Sequence, residues 1–195
     1  MIKNYIIPTA ENRPQDYYWF QHGFSSSQLV KLFDDLESIP FNNAQTFGGS
    51  SDEIRKSRVK WLPQDERFEW LYDIMLTLAN EANKEMWNFD IHTMIEQIQY
   101  TEYWAEDAGH YTWHQDIGPE SASKRKISIT IQLSDSDEYE GGDLQIWQGG
   151  SSVLNCQRGA GVAVLFPSYM MHRVTPVTKG IRKSLVLWIG GSHYK

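Results

Sequence analysis

The second half of this chain most restricts what it can fold into. From about residue 94 it breaks into short runs, MIEQIQYTEYW, HYTWHQD, KISITIQLSD, GDLQIWQ, GVAVLFP and KSLVLWIGG, separated by turn chemistry. Runs of this length, rich in β-branched and aromatic residues, read as strands. Following two helical patterns, they predict an α+β domain with a barrel or jelly-roll core. The turns EGGD, QGGSS, QRGAG and TKGIR are expected to close antiparallel hairpins, because glycine supplies positive φ at little steric cost. Aromatic residues make up 13% of the chain, with eight Trp and ten Tyr, which suits such a fold better than a helical bundle.

The first half carries the helical patterns. Leu29, Leu32, Phe33 and Leu36 in SSQLVKLFDDLES recur at helical spacing behind a Ser cap, with Val30 at the edge of the stripe. A longer stripe of Phe68, Leu71, Tyr72, Met75, Ala79, Ala82 and Met86 follows the start signals Pro63 and Asp65 and predicts a helix of about five turns. Between them, residues 44 to 57 are Gly- and Ser-rich and read as a loop or linker, after which SRVKWL alternates like a strand. A single domain over 1–195 is expected, with helical support over about 1–93 and the strand-rich core over about 94–195.

Charge and composition exclude several classes. The balance 18 − 25 = −7 argues against binding nucleic-acid backbones, which requires a basic footprint. No apolar run approaches the ~20 residues of a membrane-spanning helix, and the segment MIKNYIIPTAENRPQD lacks a signal-peptide pattern, so a soluble, cytoplasmic protein without membrane partners is expected. The lone Cys156 cannot form an internal disulfide.

In HQD, His114 and Asp116 lie two residues apart on a strand-like run, so their side chains leave the same face. His172, in PSYMMHRVTPV, is a candidate third ligand. Two imidazoles and one carboxylate on one side of a metal form the facial set of non-haem Fe(II) oxygenases, although zinc could bind the same donors. By itself an HxD pair on a strand is more often a surface pair. Ten residues after His172, however, Arg182 stands on an apolar strand, where a guanidinium can make a two-point contact with a carboxylate. A metal with an open face beside such an anchor suggests a chelating dicarboxylate.

The HQD, GGDLQIW, PSYMMHRVTPVTKGIRKSLVLW and QYTEYWAEDAGHYTWH segments, over roughly residues 95 to 190, resemble the 2-oxoglutarate- and Fe(II)-dependent dioxygenases, with a weaker echo in IRKSRVKWLP. Within that family they are most similar to the prolyl 4-hydroxylases and their bacterial and viral relatives. The resemblance implies a double-stranded β-helix supported by helices, and Fe(II), 2-oxoglutarate and O2 as reactants, with ascorbate a candidate accessory. It further implies His114, Asp116 and His172 as iron ligands and Arg182 as the anchor for the distal carboxylate of 2-oxoglutarate. Many animal and plant members have Lys there, so Arg keeps the charge and changes the geometry. Tyr103 matches a tyrosine reaching the co-substrate, and Ser128 a hydroxyl beside the distal carboxylate.

The residues agree in part, since Ser128, Thr130 and Gln132 share one face of KISITIQLSD and Ile127, Ile129, Ile131 and Leu133 the other. A ligand-lined wall packed on helices is expected, with Thr130 the residue most open to a plain solvent-facing reading. Arg173 should point away if His172 points inward. Trp113 should face outward and pack against a helix, and Trp188 should close the barrel or line the pocket. The SDSDEYE run reads as a solvated loop, and His22, His92, His110 and His193 show no ligand pattern. Residues 44–57 and IGPESASKRK are candidate covers for the site. The resemblance implies a peptide substrate containing proline. The alternatives are a hydroxylase of a free amino acid or other small molecule, and a non-catalytic jelly-roll metal-binding module, which would have no need of Arg182. The oligomeric state is open.

Overall fold

Both apolar stripes form helices where their spacing places them. In a computed structural model that describes residues 16–43 and 52–194, α1 spans Ser26–Leu36 and α2 Glu69–Met86. Ser25 and Gln28 form a reciprocal capping box at the start of α1, satisfying two amides that helix geometry leaves unpaired. Leu32 and Leu36 are buried, whereas Val30 is 62% exposed, as its place at the stripe margin implies. Along α2, Phe68, Leu71, Met75, Ala79 and Ala82 are buried. Burying each of the larger ones removes enough apolar surface to stabilise the fold by roughly 1.5–3 kcal/mol. No helix among the described residues is long and apolar enough to cross a membrane.

The described strands are β1 (Tyr18–Phe20), β2 (Asn42–Asn43), β3 (Arg55–Lys56), β4 (Arg58–Leu62), β5 (Ile91–Met94), β6 (Ile98–Trp104) and β7 (His110–His114). They continue as β8 (Arg125–Gln132), β9 (Tyr139–Gly141), β10 (Leu144–Gly149), β11 (Ser152–Asn155), β12 (Ala163–Pro167), β13 (His172–Val174) and β14 (Val177–Gly191). The larger sheet runs β1-β12-β8-β14-β6-β4-β2, with β5 and β9 also pairing with β14; the smaller runs β11-β10-β13-β7-β3. All pairings are antiparallel, giving the jelly roll.

Two apolar layers result. One lies between the helices and the larger sheet, where Leu32, Leu71 and Met75 meet Ile127, Ile129 and Ile131. The other lies between the sheets, around Ile146, Val164, Phe166 and Val174. The split face of β8 is therefore as expected: isoleucines toward the helices, Ser128, Thr130 and Gln132 inward, and Thr130 only 5% exposed rather than facing water.

Four departures have physical causes. The N-terminal part is not only helical support, because β1, β2 and β4 extend the larger sheet and β3 the smaller. β4 is the strand expected in SRVKWL, whereas β1, β2 and β3, of two or three residues, are too short to show period-two alternation. Of the expected turns, QGGSS does close a hairpin, between β10 and β11. The TKGIR turn is instead a bend inside β14: at Gly180, φ is +70° and a Cβ would sit 2.1 Å from Glu138 O. There β14 leaves β9 and takes up β6 and β8. EGGD and QRGAG connect strands of different sheets rather than hairpin partners. Finally, Trp113 meets no helix, because β7 belongs to the smaller sheet while the helices pack on the larger. Its ring lies 4.6 Å from the Arg173 guanidinium.

Of the expected cover segments, 44–51 lies outside the described residues, and so does the start of the chain through residue 15. Residues 55–56 form β3, and IGPESASKRK contains a short 3-10 turn, Glu120–Lys124. The 135–138 part of SDSDEYE is exposed.

Candidate metal centre

β7 and β13 pair in a register that puts His114 directly opposite His172. Asp116, two residues beyond His114, is fixed by its amide donating to Ser168 O at 3.0 Å and its carbonyl accepting from Arg125 Nη1 at 2.9 Å. The carboxylate straddles the two rings, with Oδ1 3.6 Å from His114 Nε2 and Oδ2 3.5 Å from His172 Nε2. Two donors bound about 2.1 Å from a common ion are at most about 4.2 Å apart, so both spacings suit shared ligation.

The hydrogen bonds orient these donors. His114 Nδ1 lies 2.7 Å from Thr112 O and His172 Nδ1 2.9 Å from Met170 O. In each ring Nδ1 therefore carries the proton and Nε2 presents its lone pair to the shared space. Burial alone would raise the Asp116 carboxyl, but His172, His114 and the Ser128 hydroxyl outweigh it and hold it well below the usual carboxylate range. Burial pushes His172 down to about 4 against the opposing pull of Asp116, so the imidazole is neutral near pH 7. An ionised carboxylate and a neutral imidazole suit a divalent ion. Among the described residues these three form the one cluster of His, Cys, Asp and Glu able to hold a metal. His22, His92 and His193 are exposed, and His110 is tied to the carbonyls of Ala108 and Glu53.

The triad opens into a cleft between the sheets that also holds Arg182, Tyr103, Thr130 and Trp188. Arg182 is 2% exposed. Its Nη2 donates to Gln132 Oε1 at 2.9 Å and its Nη1 to Ser184 Oγ at 3.3 Å, while Nε has no partner. Among the described residues no carboxylate pairs with it. A buried cation is costly unless a counter-charge joins it. A carboxylate-bearing ligand would supply that charge. Tyr103 lies alongside, its ring centroid 5.4 Å from the guanidinium. Gly142 keeps the stem of Arg182 clear: φ is +63° and a Cβ would lie 3.1 Å from Arg182 Cδ.

One expected placement differs in detail. Ser128 is not beside Arg182; its Oγ donates to Asp116 Oδ2 at 2.6 Å and lies 3.0 Å from Ser168 Oγ. The hydroxyl beside Arg182 belongs to Ser184, two residues further along β14 and paired with Gln132 of β8. Arg173 points away as expected, donating to Gln145 Oε1. Trp188 lines the cleft. Arg55, Gln99 and Tyr111 are among the lining residues that escaped sequence reasoning. Tyr111 stacks on His114 with ring centroids 3.4 Å apart. Arg55 lay in a stretch read as a loop or linker, and its one signal was the IRKSRVKWLP echo.

Residues 98–190 match the sequence model of the 2OG-Fe(II) oxygenase superfamily. A PKHD-type hydroxylase of Synechococcus sp. (strain CC9605) is 43% identical over 79 residues, 40% of this chain and 36% of the relative. The chain thus spans about a third of that relative's length in this match. A PKHD-type hydroxylase of Alteromonas mediterranea is 27% identical over 172 residues, covering 85% of this chain and 74% of the relative. The fold is also that of a Trichoplax adhaerens prolyl hydroxylase solved with a hypoxia-inducible-factor peptide, with TM-score 0.75 and 19% identity over 90% of this chain and 83% of that one. The superfamily uses Fe(II), 2-oxoglutarate and O2. Over residues 98–190 this chain is thus similar to the 2OG-Fe(II) oxygenase superfamily, over most of its length to PKHD-type hydroxylases, and in fold to a prolyl hydroxylase.

Proposed function

We propose that this chain hydroxylates a prolyl residue within a peptide and releases succinate and CO2. One observation carries the co-substrate half: a buried guanidinium with an unpartnered Nε and no counter-charge among the described residues shares a cleft with an ionised carboxylate and two imidazoles presenting Nε2. The proline half is supported by the hydroxylase names of the relatives and by the peptide bound to the fold neighbour.

On this reading His114, Asp116 and His172 hold Fe(II) through Nε2, a carboxylate oxygen and Nε2. The bound metal and co-substrate supply the oxidising chemistry, by which one atom of O2 enters succinate and the other the substrate C–H bond. Arg182 pairs with the far carboxylate of 2-oxoglutarate and fixes its direction, and Tyr103 borders it. Ser128 orients the Asp116 carboxylate. Leu144, Val186 and Trp188 limit water around the reacting atoms. An intracellular setting suits a thiol at Cys156 and a reduced metal.

The test is anaerobic addition of Fe(II) and then 2-oxoglutarate, followed by air and a panel of proline-containing peptides. A visible metal-to-ligand band, succinate release and a one-oxygen mass gain on a prolyl residue are expected. Absence of both the band and succinate overturns the enzyme reading, and a mass gain on a free amino acid alone moves the substrate to small molecules.

A further inference from the structure

The cleft holds a second buried cation that the reaction above does not use. Arg55 is 9% exposed, donates from Nη2 to Gln99 Oε1 at 2.7 Å and from Nε to Ser57 Oγ at 2.9 Å, and lies 4.9 Å from the Tyr111 ring centroid. Every one of these partners is neutral. Among the described residues no carboxylate reaches it.

Position separates it from the co-substrate anchor. Gln99, which holds Arg55, and Tyr103, which borders Arg182, are four residues apart on the same face of β6. Gln99 pairs with Val186 of β14 from the β6 side, and Gln132, which holds Arg182, pairs with Ser184 from the β8 side, so the two cations are held on opposite flanks of β14. Through β3–β7 pairing Arg55 lies opposite Tyr111, and Tyr111 stacks on the ligand His114. Arg55 thus flanks the metal on a side that a five-carbon dicarboxylate directed at Arg182 leaves open.

Charge counting gives the same direction. Among the cleft-lining residues, Arg55 and Arg182 against Asp116 leave one positive charge. A divalent metal and a dianionic co-substrate cancel each other, so that charge remains when both are bound. In a site of low dielectric an uncompensated charge is costly, and a monoanionic group on the incoming molecule removes the cost.

We infer that Arg55 is the binding subsite for a carboxylate of the primary substrate. Resting on the prolyl-peptide reading, this makes the substrate a peptide with a carboxylate next to the hydroxylated residue, from an acidic side chain or a free C-terminus. Arg55 supplies specificity through a charge-assisted pair, and Gln99 and Ser57 hold its fork in place.

The experiment measures peptide affinity for protein loaded with Mn(II) and 2-oxoglutarate, by quenching of tryptophan fluorescence, alongside one-oxygen mass gain with Fe(II) in air. Capped peptides containing Pro-Glu or Glu-Pro are compared with their Gln counterparts, and a peptide ending in a free Pro carboxylate with its amide. The carboxylate forms are expected to bind about tenfold more tightly, and whichever pair shows the difference identifies the source of the carboxylate. Arg55→Gln should erase the preference and Arg55→Lys should retain part of it, while 2-oxoglutarate affinity, titrated separately, responds mainly to Arg182→Gln. Equal affinity of charged and neutral peptides for the wild-type protein overturns the subsite and leaves the proline reading standing. A loss of 2-oxoglutarate affinity in Arg55→Gln as large as in Arg182→Gln also overturns it. Preferred binding and oxidation of Ala-Glu peptides over Ala-Gln would support the subsite and sink proline as the target. Failure of every peptide to bind removes both.

Discussion

Replacing Arg182 with Met should move stability and co-substrate affinity in opposite directions. Arg182 is 2% exposed, with two neutral hydrogen-bond partners, an unpartnered Nε and no ion-pair partner among the described residues. Methionine keeps much of the stem volume and removes the desolvation cost, which for a buried ion is several kcal/mol after relaxation. Against that, Gln132 and Ser184 each lose a donor, together about 1–3 kcal/mol. The ligand-free protein should therefore change by about 0 to +2 kcal/mol, which for a chain of this size is a Tm rise of up to roughly 8 °C. Loss of a two-point guanidinium contact to a carboxylate should meanwhile cost about 3–4 kcal/mol of binding, a factor of about 100 to 1,000 in 2-oxoglutarate affinity. Thermal unfolding without ligand, and 2-oxoglutarate titration of Mn(II)-loaded protein, measure the two separately. A Tm fall of more than about 5 °C would show that Arg182 serves the fold, and unchanged 2-oxoglutarate affinity would remove it as the anchor.

Other outcomes follow from single contacts. Ser128→Ala removes the hydroxyl that donates to Asp116 Oδ2 at 2.6 Å and should weaken metal binding by about 10- to 100-fold in a competitive chelator titration; an unchanged affinity would leave Ser128 a packing residue. Gly142→Ala places a methyl 3.1 Å from Arg182 Cδ at φ +63°, so 2-oxoglutarate affinity and Tm should both fall, whereas a drop in Tm alone would mean that only backbone strain was felt. Burial pushes the Cys156 thiol up to about 12, with Arg182 opposing. A raised thiol pKa favours the neutral form, so at pH 8 only about one molecule in ten thousand carries the thiolate. Iodoacetamide should label Cys156 only after unfolding, and rapid labelling of the folded protein would contradict its burial.

Much of the site was legible because strand alternation is a local rule. KISITIQLSD alone separates the wall facing the cleft from the wall facing the helices, whereas Asp116 of HQD lies past the end of β7 and is brought to His114 by its backbone bonds to Ser168 and Arg125. Whatever depended on pairing between distant strands was not legible. Arg55 enters the cleft because a two-residue strand pairs with β7, and two residues cannot display a period. Gly180 carries a turn signature, yet the chain continues as one strand because neighbours on both sides supply ladder partners across the bend. Ser128 fell on the correct face and was given the wrong neighbour, since alternation specifies a face without a position along it.

The register that sets His114 opposite His172 couples metal loading to the mechanics of the smaller sheet. The β7–β13 ladder is short and shifts register between His172 and Val174, so its backbone bonds alone hold it weakly. An ion bound to both imidazoles is a crosslink across that seam. Its binding free energy adds to the work of parting the strands, by about 2.7 kcal/mol when the free metal stands at a hundred times its Kd. With a metal held as proposed, chelation would loosen the wall built on β7 and β13, while Arg182 stands on β14, which is paired on both sides by β6 and β8.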